Sequence, residues 1–130
     1  MNKRALAAGA IFAGLAVIIG AFGAHTLKEK FQMPADQLAI FDTGVRYQFY
    51  HSFALLITGI LFSSFPAKQL KLAATFFIIG IVLFSGSLYA MTMLHTGGAG
   101  LGPMGILTPI GGLFFILGWI TLLLGILKQK

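Results

Sequence analysis

An all-α membrane protein of four transmembrane helices, packed as a bundle with both termini in the cytoplasm, is the fold class that this sequence predicts. Three observations predict it. Of 130 residues, 58% are hydrophobic and only 9% charged, against about 25% charged in an ordinary soluble domain. The surface must therefore face lipid. The apolar residues gather into runs near 5–24, 47–65, 70–94 and 109–127, and a bilayer core takes roughly 20 apolar residues per helix. The basic residues sit in pairs at the ends of these runs, the arrangement that fixes a membrane protein's orientation. The chain reads as one four-helix membrane domain over 1–130.

Composition also excludes whole classes of function. There are no cysteines, so disulfides, thiolate metal sites and a cysteine nucleophile are absent. The net charge of +6 is spread along the chain rather than gathered in one patch, which argues against nucleic acid.

The first run, Ala5 to Ala24, is uncharged and follows Lys3 and Arg4. A cleaved signal peptide is the competing reading, with Ala21-Phe22-Gly23 as its cleavage site. The run exceeds the usual apolar core of about 7–15 residues, and Ala16, Gly20 and Ala24 recur every fourth position. That small-residue spacing lets helices approach closely in lipid, so a retained span is favoured.

The outer polar segment, 25–46, holds all three acids, Glu29, Asp36 and Asp42. Pro34 can open a helix, and Leu38, Phe41 and Val45 share one helical face. This stretch reads either as a short interfacial helix, running on into the second span, or as a loop. The second span follows over 47–65. Pro66-Ala67-Lys68-Gln69 reads as a tight basic turn and 70–94 as the third span. The glycine-rich stretch from His95 to Leu107 reads as a connector, lacking the strand and the Lys-Ser/Thr of a phosphate loop. Thr108-Pro109 has the form of an N-cap followed by proline at the first helical position. In the fourth span Gly111, Gly118 and Gly125 lie seven apart and predict a packing seam, to which Gly20 of the first span is a counterpart.

Orientation follows from counting. Lys3, Arg4, Lys68, Lys71, Lys128 and Lys130 fall on one side, and Lys28, Lys30 and Arg46 on the other. The richer side is cytoplasmic, so both termini are inside and the protein belongs in the cell membrane as a multi-pass chain.

This orientation collects polar side chains at the outer rim. A hairpin turning near residues 67 and 68 sets His51 and Ser85 at one depth, each roughly 25 Å from the turn at 1.5 Å per residue. Tyr47 is then level with Leu88 and Tyr89. The candidate cluster is His25, Arg46, Tyr47, Gln48, His51, Ser85, Ser87 and Tyr89. Such residues are at home at a membrane interface, where they glue and position helices. The sharper alternative is a site for a lipid headgroup, a quinone or a metal centred on His51. The histidine positions 25, 51 and 95 match no zinc or copper motif. No metal and no cofactor is assigned. No carboxylate lies inside a span, which argues against a proton path built on acids. No catalytic residue is assigned either.

Four ordered stretches carry a family resemblance. They are Gly20-Ala21-Phe22-Gly23-Ala24-His25, Gly44-Val45-Arg46-Tyr47-Gln48-Phe49-Tyr50-His51, Phe84-Ser85-Gly86-Ser87-Leu88-Tyr89-Ala90, and Thr108-Pro109-Ile110-Gly111-Gly112 with Gly118-Trp119. Together they resemble the bacterial DUF423 family, also called UPF0382, to which eukaryotic transmembrane protein 256 is similar. Ser52 departs from the alanine that the resemblance leads one to expect after His51. The resemblance implies a four-helix integral membrane protein and carries over no catalytic role.

The function expected from all of this is non-enzymatic: a bundle that scaffolds or assists a membrane partner or lipid. Its partners are the bilayer and either a further copy of the chain or another membrane protein. A small oligomeric transporter or channel component is the alternative, and a quinone- or haem-linked redox protein using His51 is a further one.

Overall fold

The computed structural model describes residues 1–96 and 104–128. The glycine-rich residues 97–103, read above as connector, lie outside the described residues, as does Lys130.

The described chain is all helical and forms four rods. The first is α1, Lys3–Phe22, continued by a π-helical segment over Gly23–Lys30. Asn2 caps it, its Oδ1 accepting the Ala5 N–H at 3.0 Å. The rod outruns the apolar stretch because its far end is anchored by packing. Leu27 is buried with Met33, Phe41 and Val45, and a Cβ on Gly23 would lie 2.7 Å from the Phe41 ring. The chain then reverses through Gln32, whose φ of 50° is a left-handed conformation uncommon outside glycine.

The second rod, α2, runs unbroken over Ala35–Leu61. Residues 35–46 are therefore not a loop; the helix expected there runs on into the second rod and forms its first turns. The reason is a single uninterrupted face. Phe41, Gly44, Val45, Gln48, His51, Ser52, Leu55, Thr58 and Gly59 are all buried and recur at helical spacing with no break in phase.

A turn over 62–66 leads to the third rod. This consists of α3, Ala67–Gly80, a π-helical segment over Ile81–Ser85, and α4, Gly86–Thr96. Ala67, Lys68 and Gln69 belong to the first turn of α3, so the reversal lies before Ala67 rather than across Lys68. The fourth rod is α5, Met104–Lys128, with Pro109 inside it. Thr108 is thus a helical residue and not the N-cap. Pro109 forfeits one early backbone bond near the start of α5, where such bonds are fewest.

Three rods are long and apolar enough to cross a membrane: Lys3–Lys30, Ala67–Leu94 and Gly105–Lys128. The second rod, expected as a span, is not one of them. Its middle carries Arg46, Gln48, His51 and Ser52, and the last three are buried against neighbouring helices rather than offered to lipid.

Helix α1 packs on α2, α2 on the third rod, and the third rod on α5. One apolar core joins Ala54 and Leu55 of α2 to Leu70, Ala73, Phe77 and Ile81 of the third rod and Phe115 and Leu122 of α5. A second core holds Ala16, Leu27, Met33, Phe41 and Val45. The polar side chains of α2 lie between the two.

Candidate functional site

Gln48 stands at the midpoint of α2, 13 residues from either end of Ala35–Leu61, or about 20 Å at 1.5 Å per residue. Its side chain is 3% exposed. Its Nε2 donates to the Phe12 carbonyl of α1 at 2.7 Å. Its Oε1 accepts the Tyr89 hydroxyl of α4, also at 2.7 Å. A carbonyl only accepts, so the orientation of the amide is fixed. One turn on, the Ser52 hydroxyl donates to the Gln48 carbonyl at 2.6 Å.

His51 does for α5 what Gln48 does for α1 and α4. Its Nδ1 lies 2.7 Å from the Tyr47 carbonyl, and the Trp119 indole N–H donates to its Nε2 at 3.0 Å. A carbonyl cannot donate and an indole N–H cannot accept. Both contacts are satisfied by one species alone, the neutral imidazole with its proton on Nδ1. The ring also stacks on Phe115 with centroids 3.5 Å apart and planes 8° from parallel. Phe77 flanks it at 5.7 Å and meets Trp119 edge-on at 5.0 Å.

The serines tie further helices together. Ser85, in the π-helical segment, donates to the Gly44 carbonyl at 2.7 Å. Ser87 bonds the Phe84 carbonyl at 2.9 Å and meets the Thr108 hydroxyl of α5. No buried side-chain nitrogen or oxygen among the described residues lacks a partner. That is the condition under which a buried polar network rigidifies a fold rather than weakening it.

The expected cluster is therefore brought together in part and rearranged. Gln48 meets Tyr89, and Tyr47 packs on Phe84 at 4.8 Å. His51 is not level with Ser85; it is level with Phe77, and Ser85 is level with Gly44. The hairpin reverses several residues earlier than the basic turn implies, which shifts the pairing by more than a helical turn. His25 is exposed and shares no contact with the hub. Arg46 is exposed as well and pairs with Asp42 at 2.8 Å. No group of three histidine or acidic side chains among the described residues could hold a metal ion.

Sequence reasoning missed Trp119, Phe115, Phe77 and Thr108 as neighbours of the site. One signal was available for Trp119. It is the chain's one tryptophan, it lies within an apolar run, and an indole N–H there requires an acceptor.

A Cβ on Gly111 would lie 2.4 Å from the Phe84 backbone nitrogen, and one on Gly118 2.6 Å from the Phe77 ring. On Gly125 it would lie 3.0 Å from the Gln69 Cβ, and on Gly20 3.3 Å from Val45. Beside the hub, a groove of about 790 Å³ opens between α2 and α5, lined by Tyr47, Tyr50, His51, Phe84, Ile116 and Trp119 among others. Tyr50 and Trp119 are about half exposed along it.

Comparison with known proteins bears on this arrangement. The model of a family described as "Protein of unknown function (DUF423)" matches residues 19–112. The chain is 38% identical over 120 residues to the UPF0382 membrane protein SAB0533 of Staphylococcus aureus, covering 92% of each chain. It is 36% identical over 130 residues to a UPF0382 membrane protein of Haemophilus influenzae, covering 100% of this chain and 98% of that one. It is 34% identical over 114 residues to the UPF0382 inner membrane protein YgdD of Escherichia coli, covering 88% of this chain and 82% of that one. No solved structure matches the chain.

Proposed function

The chain belongs to the DUF423 family of membrane proteins, and from that premise we propose that it is a non-enzymatic, multi-pass bundle that assists or scaffolds a lipid or another membrane protein. The observation that carries this reading is the hub itself. Gln48 and His51 have their hydrogen-bonding atoms engaged by α1, α4, α5 and their own helix. A polar centre used in this way holds helices in register. A reactive group would keep a lone pair or a proton free for substrate.

The packing and the connections support four crossings. Helix α2 lies alongside both α1 and α3 and is joined to α3 by residues 62–66 alone, so a bilayer crossed by those two would be crossed by α2 as well. The buried face of α2 removes the objection from its polarity, since Gln48, His51, Ser52 and Thr58 are shielded from lipid by neighbouring helices. The excess of Lys and Arg at the ends of the chain and at residues 68–71 supports cytoplasmic termini. The Escherichia coli relative's name supports placement in the cell membrane.

The redox alternative has less support. To ligate haem, His51 would have to give up either the Trp119 donor or its bond to the Tyr47 carbonyl. The aromatic groove beside it is the face on which a lipid chain or a partner helix would lie.

Two experiments test the reading. The chain has no cysteine, so single cysteines report topology cleanly. In intact cells an impermeant maleimide is expected to label Lys30→Cys and to spare Ser64→Cys and Lys128→Cys. Equal labelling at 30 and 64 would remove the α2 crossing. The non-enzymatic reading is wrong if a deletion strain loses a specific chemical conversion that the purified protein alone restores.

A further inference from the structure

A groove of about 500 Å³ opens at the end of the molecule opposite the acidic segment, where the start of α1 meets the start of α3. Its lining includes Lys3 and Arg4 from one helix, Lys68 and Lys71 from the other, and the apolar side chains Phe62 and Ala67. Backbone bonds build it. The Asn2 N–H donates to the Gly59 carbonyl at 3.0 Å, which fastens the start of α1 to the end of α2. The turn over 62–66 then sets α3 alongside. Four cations from sequence positions more than 60 apart thus share one concavity.

Among the described residues no acidic side chain lies beside them. The chain's three acids, Glu29, Asp36 and Asp42, all lie at the opposite end, and Asp42 is paired with Arg46. All four cationic side chains of the groove are exposed and free to close on a ligand. Like charges held together repel, so the groove favours an anion with several acceptor oxygens. Its apolar lining and its place at the ends of two apolar helices favour an anion that also carries hydrocarbon.

We propose that this groove binds the phosphate headgroup of an anionic phospholipid. Basic pockets between membrane helices recognise such headgroups by the same charge arithmetic. The site goes beyond the scaffold reading. Only its leaflet rests on the orientation proposed above, which places it on the inner side.

The test uses the purified full-length chain in neutral detergent, with binding of phosphatidylglycerol and phosphatidylcholine followed by native mass spectrometry. Phosphatidylglycerol is expected to bind in preference. The pair Lys68→Gln and Lys71→Gln should weaken it roughly 30-fold, the effect of two interfacial charges. Lys68→Arg with Lys71→Arg should retain it, and so should Lys28→Gln with Lys30→Gln, which removes the same charge at the other end. If the first pair fails to fold, Lys3→Gln with Arg4→Gln is read in the same way. Equal affinity for the two lipids, or equal loss in the Lys28 and Lys30 pair, would overturn the proposal. Displacement of the lipid by millimolar inorganic phosphate would overturn the lipid assignment in favour of a free anion.

Discussion

Trp119 donates its indole N–H to Nε2 of His51 at 3.0 Å, joining α5 to the middle of α2 and fixing the imidazole as the neutral Nδ1–H tautomer. Nitrogen NMR of the purified protein at pH 8 is expected to show a protonated Nδ1 and a bare Nε2. A proton on Nε2 at that pH would mean that Trp119 bonds elsewhere. Trp119→Phe removes the donor and leaves Nε2 unpaired. Interhelical hydrogen bonds in lipid average about 0.6 kcal/mol and reach about 1.7 kcal/mol, so a loss in that range is expected from reversible unfolding in mixed micelles.

Acidification tests the same bond from the other side. Protonating Nε2 would face one N–H against another, so the Trp119 contact must be lost in whatever pH range His51 takes up a proton. Trp119 is the chain's one tryptophan, so its fluorescence should change over that range alone. In the His51→Phe variant, which keeps a ring against Phe115, the change should vanish. A titration that persists there would assign it to another group.

Gln48 and Tyr89 form the second testable pair. Tyr89→Phe leaves Gln48 Oε1 buried without its donor. Gln48→Met takes that acceptor from the Tyr89 hydroxyl and also removes the bond to the Phe12 carbonyl, on a different helix. The expected order of stability is therefore wild type, Tyr89→Phe, Gln48→Met. A double-mutant cycle between the two positions should give a coupling of about 0.6 kcal/mol. Strict additivity would show that the bond contributes nothing.

The sequence exposed some of this arrangement and hid the rest for definite reasons. Apolar runs and Lys/Arg pairs locate the rods, since hydrophobicity and charge are local quantities. Residues 35–46 were ambiguous because a polar helix on a membrane surface and the start of a buried-face helix share one periodicity; contact of Phe41 and Val45 with Leu27 decides between them. Gln48, His51, Ser85 and Tyr89 could be named as polar residues among apolar ones. Their partners could not, because pairing depends on where a hairpin reverses. Pro66-Ala67-Lys68 has turn composition, yet Pro66 precedes the helix and Lys68 lies inside it. That displacement moves His51 from Ser85 to Phe77. Trp119 was further out of reach, since no local pattern relates α5 to α2.

Adjacent glycines of α5 offer a control within one helix. A Cβ on Gly111 would press on the Phe84 backbone at 2.4 Å, whereas one on Gly112 would meet its nearest neighbour at 3.8 Å. Backbone cannot move aside as a side-chain tip can. Gly111→Ala should cost about 1–3 kcal/mol, the range for overpacking a filled contact. Gly112→Ala should be neutral or slightly stabilising, because alanine favours the helix. Similar losses at both positions would show that α5 does not approach Phe84 through Gly111.

Arg46 is the residue whose sequence setting most overstates its structural role. It opens the polar stretch that leads to His51, yet among the described residues its guanidinium pairs with Asp42 one turn back, and both side chains are more than half exposed. An exposed pair at this spacing is worth about 0.3–0.5 kcal/mol at most. Arg46→Ala should therefore unfold almost as the wild type does, and raising the salt concentration should remove the small difference that remains. His25→Ala, at an exposed position with no contact to the hub, should behave likewise. If either variant lost partner or lipid capture while keeping wild-type stability, the residue would act at the surface and not through the fold. A stability loss matching that of Trp119→Phe would contradict its exposed placement.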